Sequence, residues 1–500
     1  MRTGRLHRPG ASGYGEALIE APRDTPSDLV ERFRQLRPFD DAEVAFVRAC
    51  VRRPDRMTRA QETTLRLALN LARLWVLPQG SGEDLVVGHL LGGFRDKVAD
   101  LAEQIRRAGD DLDPALLGRD ANELLPHLKA ARDMLLTHHS GRLLSSALDR
   151  ELGTKALVLV AGGGGGCGYV HLGTFSVLES RGIVPRLIVG ASIGSILGMF
   201  RARELHYRDS MVRAVTHGLT FKKLFRVLEV QSRYGVPGPL RLYLRSALSR
   251  FFVSPSGEAM RIGDLEIPFI CVVSGIKRDA LRRDILDYEK AFATQLRKGA
   301  FGALLHIKDL VSGWASFISD LIAVQGAVKP IAIGADADTR AFDVLDAVGF
   351  SCSVPALIHY DILRDDPRME EQMRMLLARH QVDCLVDGGL SANVPARVAW
   401  ESVQRGRLGT RNAFILGLDC FTPQLRRNML FIPLQRIAEA NVLRDRAFAH
   451  LSFSYKRVLS PASLVPGAKS MAEAIEHGRE DFERESPFVQ KMMEPLSSIA

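Results

Sequence analysis

Ser192 stands in the pentapeptide Gly190-Ala191-Ser192-Ile193-Gly194, directly after the apolar run Leu187-Ile188-Val189 and before the apolar stretch Ile193 to Phe200. A GxSxG pentapeptide between a strand and a helix is the pattern of a nucleophile elbow. The turn is so tight that neighbouring side chains would collide, hence a glycine before and after. Such a turn lifts Oγ clear of the backbone and sets a helix N-terminus behind it, where developing negative charge is favoured. Upstream lies Ala161-Gly162-Gly163-Gly164-Gly165-Gly166-Cys167-Gly168, again between a strand and a helix pattern. Consecutive glycines let several N–H groups point at one anion, as an oxyanion hole beside a serine requires. The run also spells a dinucleotide fingerprint, Gly163-x-Gly165-x-x-Gly168. That fingerprint expects an acidic residue at the end of the next strand to hold a ribose, and here that strand ends in Gly190-Ala191-Ser192. A P-loop fails for want of Gly-Lys-Ser/Thr. The third element is Leu385-Val386-Asp387-Gly388-Gly389. Asp-Gly is most often simply a turn. In functional form the strand end presents its carboxylate to the serine, and Gly388 and Gly389 let another backbone approach.

These residues need a frame to hold them. Ala156-Leu157-Val158-Leu159-Val160-Ala161 reads as a buried strand. A helix pattern follows from Tyr169 to Ser180, then a turn at Arg181-Gly182 and the strand leading to Ser192. Further strands are expected at Phe269–Ser274, Ile331–Gly334, Cys384–Val386 and Phe414–Leu418. The succession predicts a layered α/β domain. Ser27 to Leu148 reads as helices punctuated by prolines, and the text turns helical again after about Pro433. The expected division is a loose tail over 1–25, a helical region over 26–150, a catalytic domain over 151–430 and a helical extension over 431–500. The catalytic motifs occupy 155–395, interrupted by an insertion over 201–345.

In this order, the motifs resemble the patatin-like phospholipase family. The resemblance spans about Lys155 to Pro395 and rests on Gly163–Gly168, Tyr169-Val170-His171-Leu172-Gly173, Gly190–Gly194, Ser351-Cys352-Ser353-Val354-Pro355, and Asp387-Gly388-Gly389 with Asn393 and Pro395. It implies a three-layer α/β/α domain with a central, mostly parallel sheet. It also implies a lipid acyl hydrolase of phospholipase A or lysophospholipase type, with Ser192 as nucleophile and Asp387 as base. The oxyanion donors would come from the loop Gly163, Gly164, Gly165, Gly166 and Gly168, with the amides of Gly164–Gly166 foremost. No metal or cofactor is implied. Cys167 stands where the family commonly carries Arg or Lys. Other readings are a triacylglycerol or other carboxylester lipase, a triad Ser192…Asp387…His450, and an idle lipid-binding scaffold. His450 is discounted because its surroundings, Asn441–Leu459, read as helix. His171 reads as structural, and His138-His139 as a polar helix end.

Composition narrows the partners. Hydrophobic residues make up 46% and charged residues 25%, the mixture of a globular protein. Six scattered cysteines show neither a disulfide framework nor metal-ligand spacing, so a reducing cytoplasmic or peripheral membrane location is expected. No Sec-type signal or membrane-spanning run is read; export by a dedicated secretion machine stays open. Of the net charge of +9, an excess of +8 lies between Arg201 and Arg250, eleven Lys/Arg against three acidic residues. Apolar residues are threaded through this segment, so Lys222, Lys223, Arg226, Arg241 and Arg245 are candidates for contact with an anionic membrane. A solvated helix face is the plainer reading, and no motif for nucleic acid accompanies the charge. Phe301–Ile333 reads as a lid, an interfacial helix or a buried core helix. No activating protein or oligomeric state is read.

Overall fold

The computed structural model describes residues 26–79, 83–208, 220–227, 233–236, 238, 240–254, 256–277, 328–355, 357–421 and 432–499. They form two compact units, one made of residues up to 156 with 401–413 and 494–499, the other of 157–400 with 414–493. The tail over 1–25 and residues 301–327 lie outside the described residues.

The second unit is built on a seven-stranded sheet: β1 (Ala156–Ala161), β2 (Leu187–Ala191), β3 (Phe269–Ile276), β4 (Val328–Ile333), β5 (Cys384–Val386), β6 (Ala413–Asp419) and β7 (Leu451–Ser454). The order is β5-β3-β2-β1-β6-β7, with β4 paired to β3 as well. The β1–β2, β2–β3 and β6–β7 pairs are parallel; β4 and β5 run antiparallel to β3. Every residue of β1, β2, β3 and β6 is buried. Strands buried on both faces read as continuous apolar runs, which is why they were legible in the sequence. Helices flank the sheet, giving a three-layer α/β/α domain.

Four helices matter for the site: α1 (His171–Ser180), α2 (Ile193–Ala202), α3 (Leu244–Leu248) and α4 (Val344–Ser351). A small separate sheet joins Phe225–Val227, Leu240–Leu242 and Ile358–His359. Two expectations change. The strand expected at Ile331–Gly334 is β4, which begins earlier, at Val328, so the end of the Phe301–Ile333 stretch is strand and not helix; its residues from Val328 to Ile333 pair in order with β3. The segment after 431 is not helical alone. It contains the helices Ile432–Arg446, Ala468–Glu483 and Ser486–Met493, but also the edge strand β7, and it belongs to the second unit.

The first unit is helical, with helices Pro26–Arg52, Arg59–Arg73, Gly92–Ala108, Gly118–His138 and Ser145–Gly153. Pro38 and Pro126 sit inside helices rather than ending them. Thr58 and Gln61 form a capping box at the second helix, satisfying two otherwise orphaned N–H groups. Its interior holds ion pairs: Lys155 Nζ to Glu43 at 2.8 Å, Arg66 to Glu43 at 3.3 Å and Arg73 to Asp40 at 2.8 Å.

Candidate active site

The elbow forms as its glycines require. Ser192 has φ +52° and ψ −130°, a left-handed conformation that a non-glycine residue adopts at a cost of about 1–3 kcal/mol. A Cβ on Gly190 would stand 2.7 Å from Gly194 O, and one on Gly194 only 2.2 Å from Ala161 O. Both positions therefore exclude a side chain. Hydrogen bonds hold the strained residue on both sides. Its N–H donates to Ser351 Oγ at 2.9 Å, and its carbonyl accepts from Ser195 Oγ at 2.6 Å and Ser195 N–H at 2.8 Å. Ser351 Oγ in turn donates to Val272 O at 2.6 Å, so α4 ties the elbow to the middle of β3.

Asp387 follows β5 and is buried, 6% exposed. Its N–H donates to Ser353 O at 2.8 Å, its carbonyl accepts from Ser274 Oγ at 2.8 Å, and its Oδ1 accepts from Gly389 N–H at 2.7 Å. Oδ2 has no hydrogen-bond partner among the described residues. Burial pushes the carboxyl up to about 6, against the smaller opposing pull of the Ser192 hydroxyl and the Gly389 amide. Losing water disfavours the charged form. A Cβ on Gly388 would meet Val272 O at 2.1 Å: the backbone of β3 lies where that side chain would project.

The glycine loop lies against Ser192, since a Cβ on Gly163 would come within 3.0 Å of Ser192 Cβ. Its amides are not equivalent. Gly163 N–H donates to Asn393 O and Gly166 N–H to Pro461 O, each at 3.0 Å, so neither is available to a substrate. Gly168 lies within the 3₁₀ turn Gly165–Val170, against Ile193. The amides of Gly164 and Gly165 have no acceptor among the described residues. Both line the same cavity as Ser192 and Asp387, and both have positive φ, +153° and +56°. Of the five glycines expected as donors, Gly164 and Gly165 are those that combine an unengaged amide among the described residues with a place on the cavity wall.

That cavity measures about 410 Å³ and is walled almost wholly by apolar side chains. Phe221, Leu224, Phe225, Leu240, Leu242 and Leu244 belong to its lining, so the apolar residues threaded through the basic segment face the site. The basic residues divide. Lys222, Lys223 and Arg226 are exposed beside Phe221. Arg241 is buried, at 4% exposure, and Arg245 pairs with the buried Asp343 and Asp346 at 2.7 and 2.9 Å. Arg241 is thus an interior residue and Arg245 a partly buried one committed to an internal ion pair, so neither keeps a free charge for a membrane. The cause is the ordered packing of α3 and the small sheet, which no charge count reveals.

Three further positions depart from, or add to, the sequence reading. Cys167 is buried and donates from Sγ to Leu459 O at 3.1 Å; burial pushes its thiol up to about 12. A neutral thiol therefore stands at this point of the glycine loop. His450 is not in a helix. It precedes β7, and its Nδ1 accepts from Ile415 N–H at 2.9 Å. Ile415 is near the start of β6, so His450 lies at the N-terminal end of the parallel strands, whereas Ser192 follows the C-terminal end of β2. His171 is fully buried, with Nε2 3.1 Å from Gly162 O and Nδ1 3.3 Å from Tyr455 OH; desolvation holds it down to about 4. Sequence reasoning did not single out Ser274, which supports the Asp387 turn. Its only signal was a small polar residue within an apolar strand.

A serine elbow, a glycine loop and a strand-end aspartate lining one cavity define an α/β domain built around a buried serine. Residues 159–400 match the family model of the patatin-like phospholipases, and the chain carries a patatin-like phospholipase domain there. The chain is 31% identical over 139 residues to "Lysophospholipase NTE1" of Mycosarcoma maydis, covering 28% of this chain and 7% of the relative. It is 32% identical over 139 residues to human "Patatin-like phospholipase domain-containing protein 6", covering 27% and 10%. Over 57 residues it is 46% identical to "Lysophospholipase nte1" of Aspergillus fumigatus, covering 11% and 4%. The alignments thus span a tenth or less of these relatives' length.

Proposed function

We propose that this chain cleaves fatty acyl esters of lipids, as a phospholipase A or lysophospholipase, with Ser192 as nucleophile and Asp387 as general base. The observation that carries this reading is the buried Asp387 carboxyl beside Ser192, with no hydrogen-bond partner for Oδ2 among the described residues and a pKa raised by burial to about 6. A base poised near the working pH is the most effective proton acceptor. Asp387 takes the Ser192 proton as Oγ attacks the acyl carbonyl. The amides of Gly164 and Gly165 hold the resulting oxyanion; such donors are typically worth about 3–4 kcal/mol each. The carbon–oxygen bond to the alcohol breaks, and that alcohol leaves with the proton from Asp387. Water then attacks the acyl-enzyme, gives its proton to Asp387, and the fatty acid departs as Ser192 recovers its proton. The names of the relatives favour lysophospholipids as substrates.

The rim of the cavity supports work at a lipid surface. Phe221 is 44% exposed and lines the cavity, with Lys222, Lys223 and Arg226 exposed beside it. Basic heads around an apolar mouth suit an anionic bilayer. No helix among the described residues is long and apolar enough to cross a membrane.

The test is a fluorophosphonate label followed by lysophosphatidylcholine hydrolysis in the wild type, Ser192→Ala and Asp387→Asn. Label lost in Ser192→Ala, with hydrolysis lost in both variants, supports the dyad. A label retained in Ser192→Ala places the nucleophile elsewhere.

A further inference from the structure

One wall of the cavity is a single face of α2. Ile193, Ile196, Leu197 and Phe200 all line it, at the i, i+3, i+4, i+7 spacing of one helical stripe. The helix begins immediately after Ser192, so this wall starts at the reacting hydroxyl and recedes from it. At 1.5 Å per residue, Phe200 lies roughly 10 Å along the axis from Ile193. Two contacts keep it there. On the opposite side of α2, a Cβ on Gly198 would stand 3.1 Å from both the Ile188 and Phe269 side chains, so the helix already sits close on the sheet. The Phe200 ring itself meets Phe252 edge-on, with centroids 5.0 Å apart and planes at 67°. Phe252 is 1% exposed, so the ring behind Phe200 is packed in, and swinging Phe200 aside would require the core to move. Leu244 and Leu248 of α3, each 1% exposed, also line the cavity, whereas Phe221 marks its open side.

We infer that Phe200 sets the length of acyl chain the site accepts. An acyl group whose carbonyl sits at Ser192 runs along α2 towards the Phe200 ring. An extended hydrocarbon advances roughly 1.3 Å per carbon, given C–C bonds of about 1.5 Å at tetrahedral angles. The chain therefore meets the ring after about eight to ten carbons. Esters of medium-chain acids fill this wall; longer chains must bend or leave carbons towards Phe221. As a statement about substrates this rests on the hydrolase reading, but the ruler itself is a property of the cavity.

Both can be tested together and told apart. In Ser192→Ala protein, neutral 2-alkanones of eight to eighteen carbons supply a carbonyl and a chain without being cleaved. Displacement of a fluorescent apolar probe measures their affinity. Each carbon accommodated on the wall should raise affinity by up to about fourfold, and the rise should flatten near ten carbons. Adding Phe200→Leu should move the break to longer chains and Phe200→Trp to shorter ones, with circular dichroism confirming that each variant is folded. In Ser192-containing protein, the ratio of kcat/KM for p-nitrophenyl palmitate over octanoate should rise at least threefold in Phe200→Leu and fall in Phe200→Trp. A break that moves in neither folded variant overturns the inference. A break that moves in the binding series while no ester is cleaved by any Ser192 protein supports the ruler and overturns the hydrolase reading.

Discussion

The backbone N–H of Ser192 donates to Ser351 Oγ at 2.9 Å, and the same hydroxyl donates to Val272 O at 2.6 Å. Ser351 thus spends its proton on the sheet and its lone pair on the Ser192 amide. Two residues on, the backbone carbonyl of Ser353 accepts the N–H of Asp387 at 2.8 Å. One short segment therefore holds both the serine and the aspartate.

Ser351→Ala leaves the buried Ser192 amide and the Val272 carbonyl without this partner. An unsatisfied buried group costs about 1–3 kcal/mol, and a displaced elbow weakens the chemical step more than binding. The expected result is a lower melting temperature with kcat reduced at least tenfold and KM changed less than threefold on a soluble ester. Unchanged kcat would show that the elbow holds without Ser351.

Asp387 must be ionised to accept a proton. With its carboxyl near 6, kcat/KM for a soluble ester should rise with pH and level off above about 7, with half its maximum near 6. A profile flat from pH 4 to 8 would show that another base is used.

The same raised carboxyl predicts a trade of stability for activity. Its folded value lies above the unfolded one of about 3.8. Folding therefore favours the protonated form, and the associated stability is full below about pH 4 and lost as pH rises through 6. At roughly 1.4 kcal/mol per pH unit, ionised Asp387 costs the fold about 3 kcal/mol at pH 8. Asp387→Asn removes that charge while an amide oxygen can still accept from Gly389. Chemical denaturation at pH 8 should show it more stable by up to about 3 kcal/mol and inactive; at pH 4 the gain should vanish.

The basic residues of the segment after α2 should separate by location. Arg245→Ala leaves Asp343 and Asp346, both almost fully buried, to Arg364, Arg368 and the Tyr360 hydroxyl among the described residues. Removing one partner from such a buried set should cost about 3 kcal/mol, read by chemical denaturation. Replacing the exposed Lys222, Lys223 and Arg226 by Glu should leave stability within about 0.5 kcal/mol. It should also weaken sedimentation with anionic vesicles, an effect that high salt reproduces in the wild type. Equal vesicle binding by the triple variant would make this a plain solvated rim.

His450→Gln should retain hydrolysis of a soluble ester within threefold, because His450 caps the far end of β6 through Ile415. A loss comparable to that of Ser192→Ala would require a path from that end of the sheet to the site.

The frame of the candidate site was legible in the sequence because it is local. Ala156–Ala161 and Leu187–Val189 are apolar throughout since both faces of their strands are covered. Gly190 and Gly194 are glycines since the elbow admits no Cβ. Asp-Gly alone is most often simply a turn, and Asp387 could be named because its Asp-Gly-Gly follows the glycine loop and the serine pentapeptide in the order of the family it resembles. What needed the tertiary structure was decided by distant partners. Which loop amides stay free depends on Asn393 and Pro461, 230 and 295 residues beyond the glycines they engage. The fate of Arg241 and Arg245 depends on burial and on Asp343 and Asp346, a hundred residues on, which turn a seeming surface charge into an internal ion pair. His450 looked helical because the apolar spacing around it fits a helix, yet pairing with β6 draws the next four residues into an edge strand. Hydrogen-bonding to a neighbouring strand is a long-range choice, and short-range periodicity does not record it.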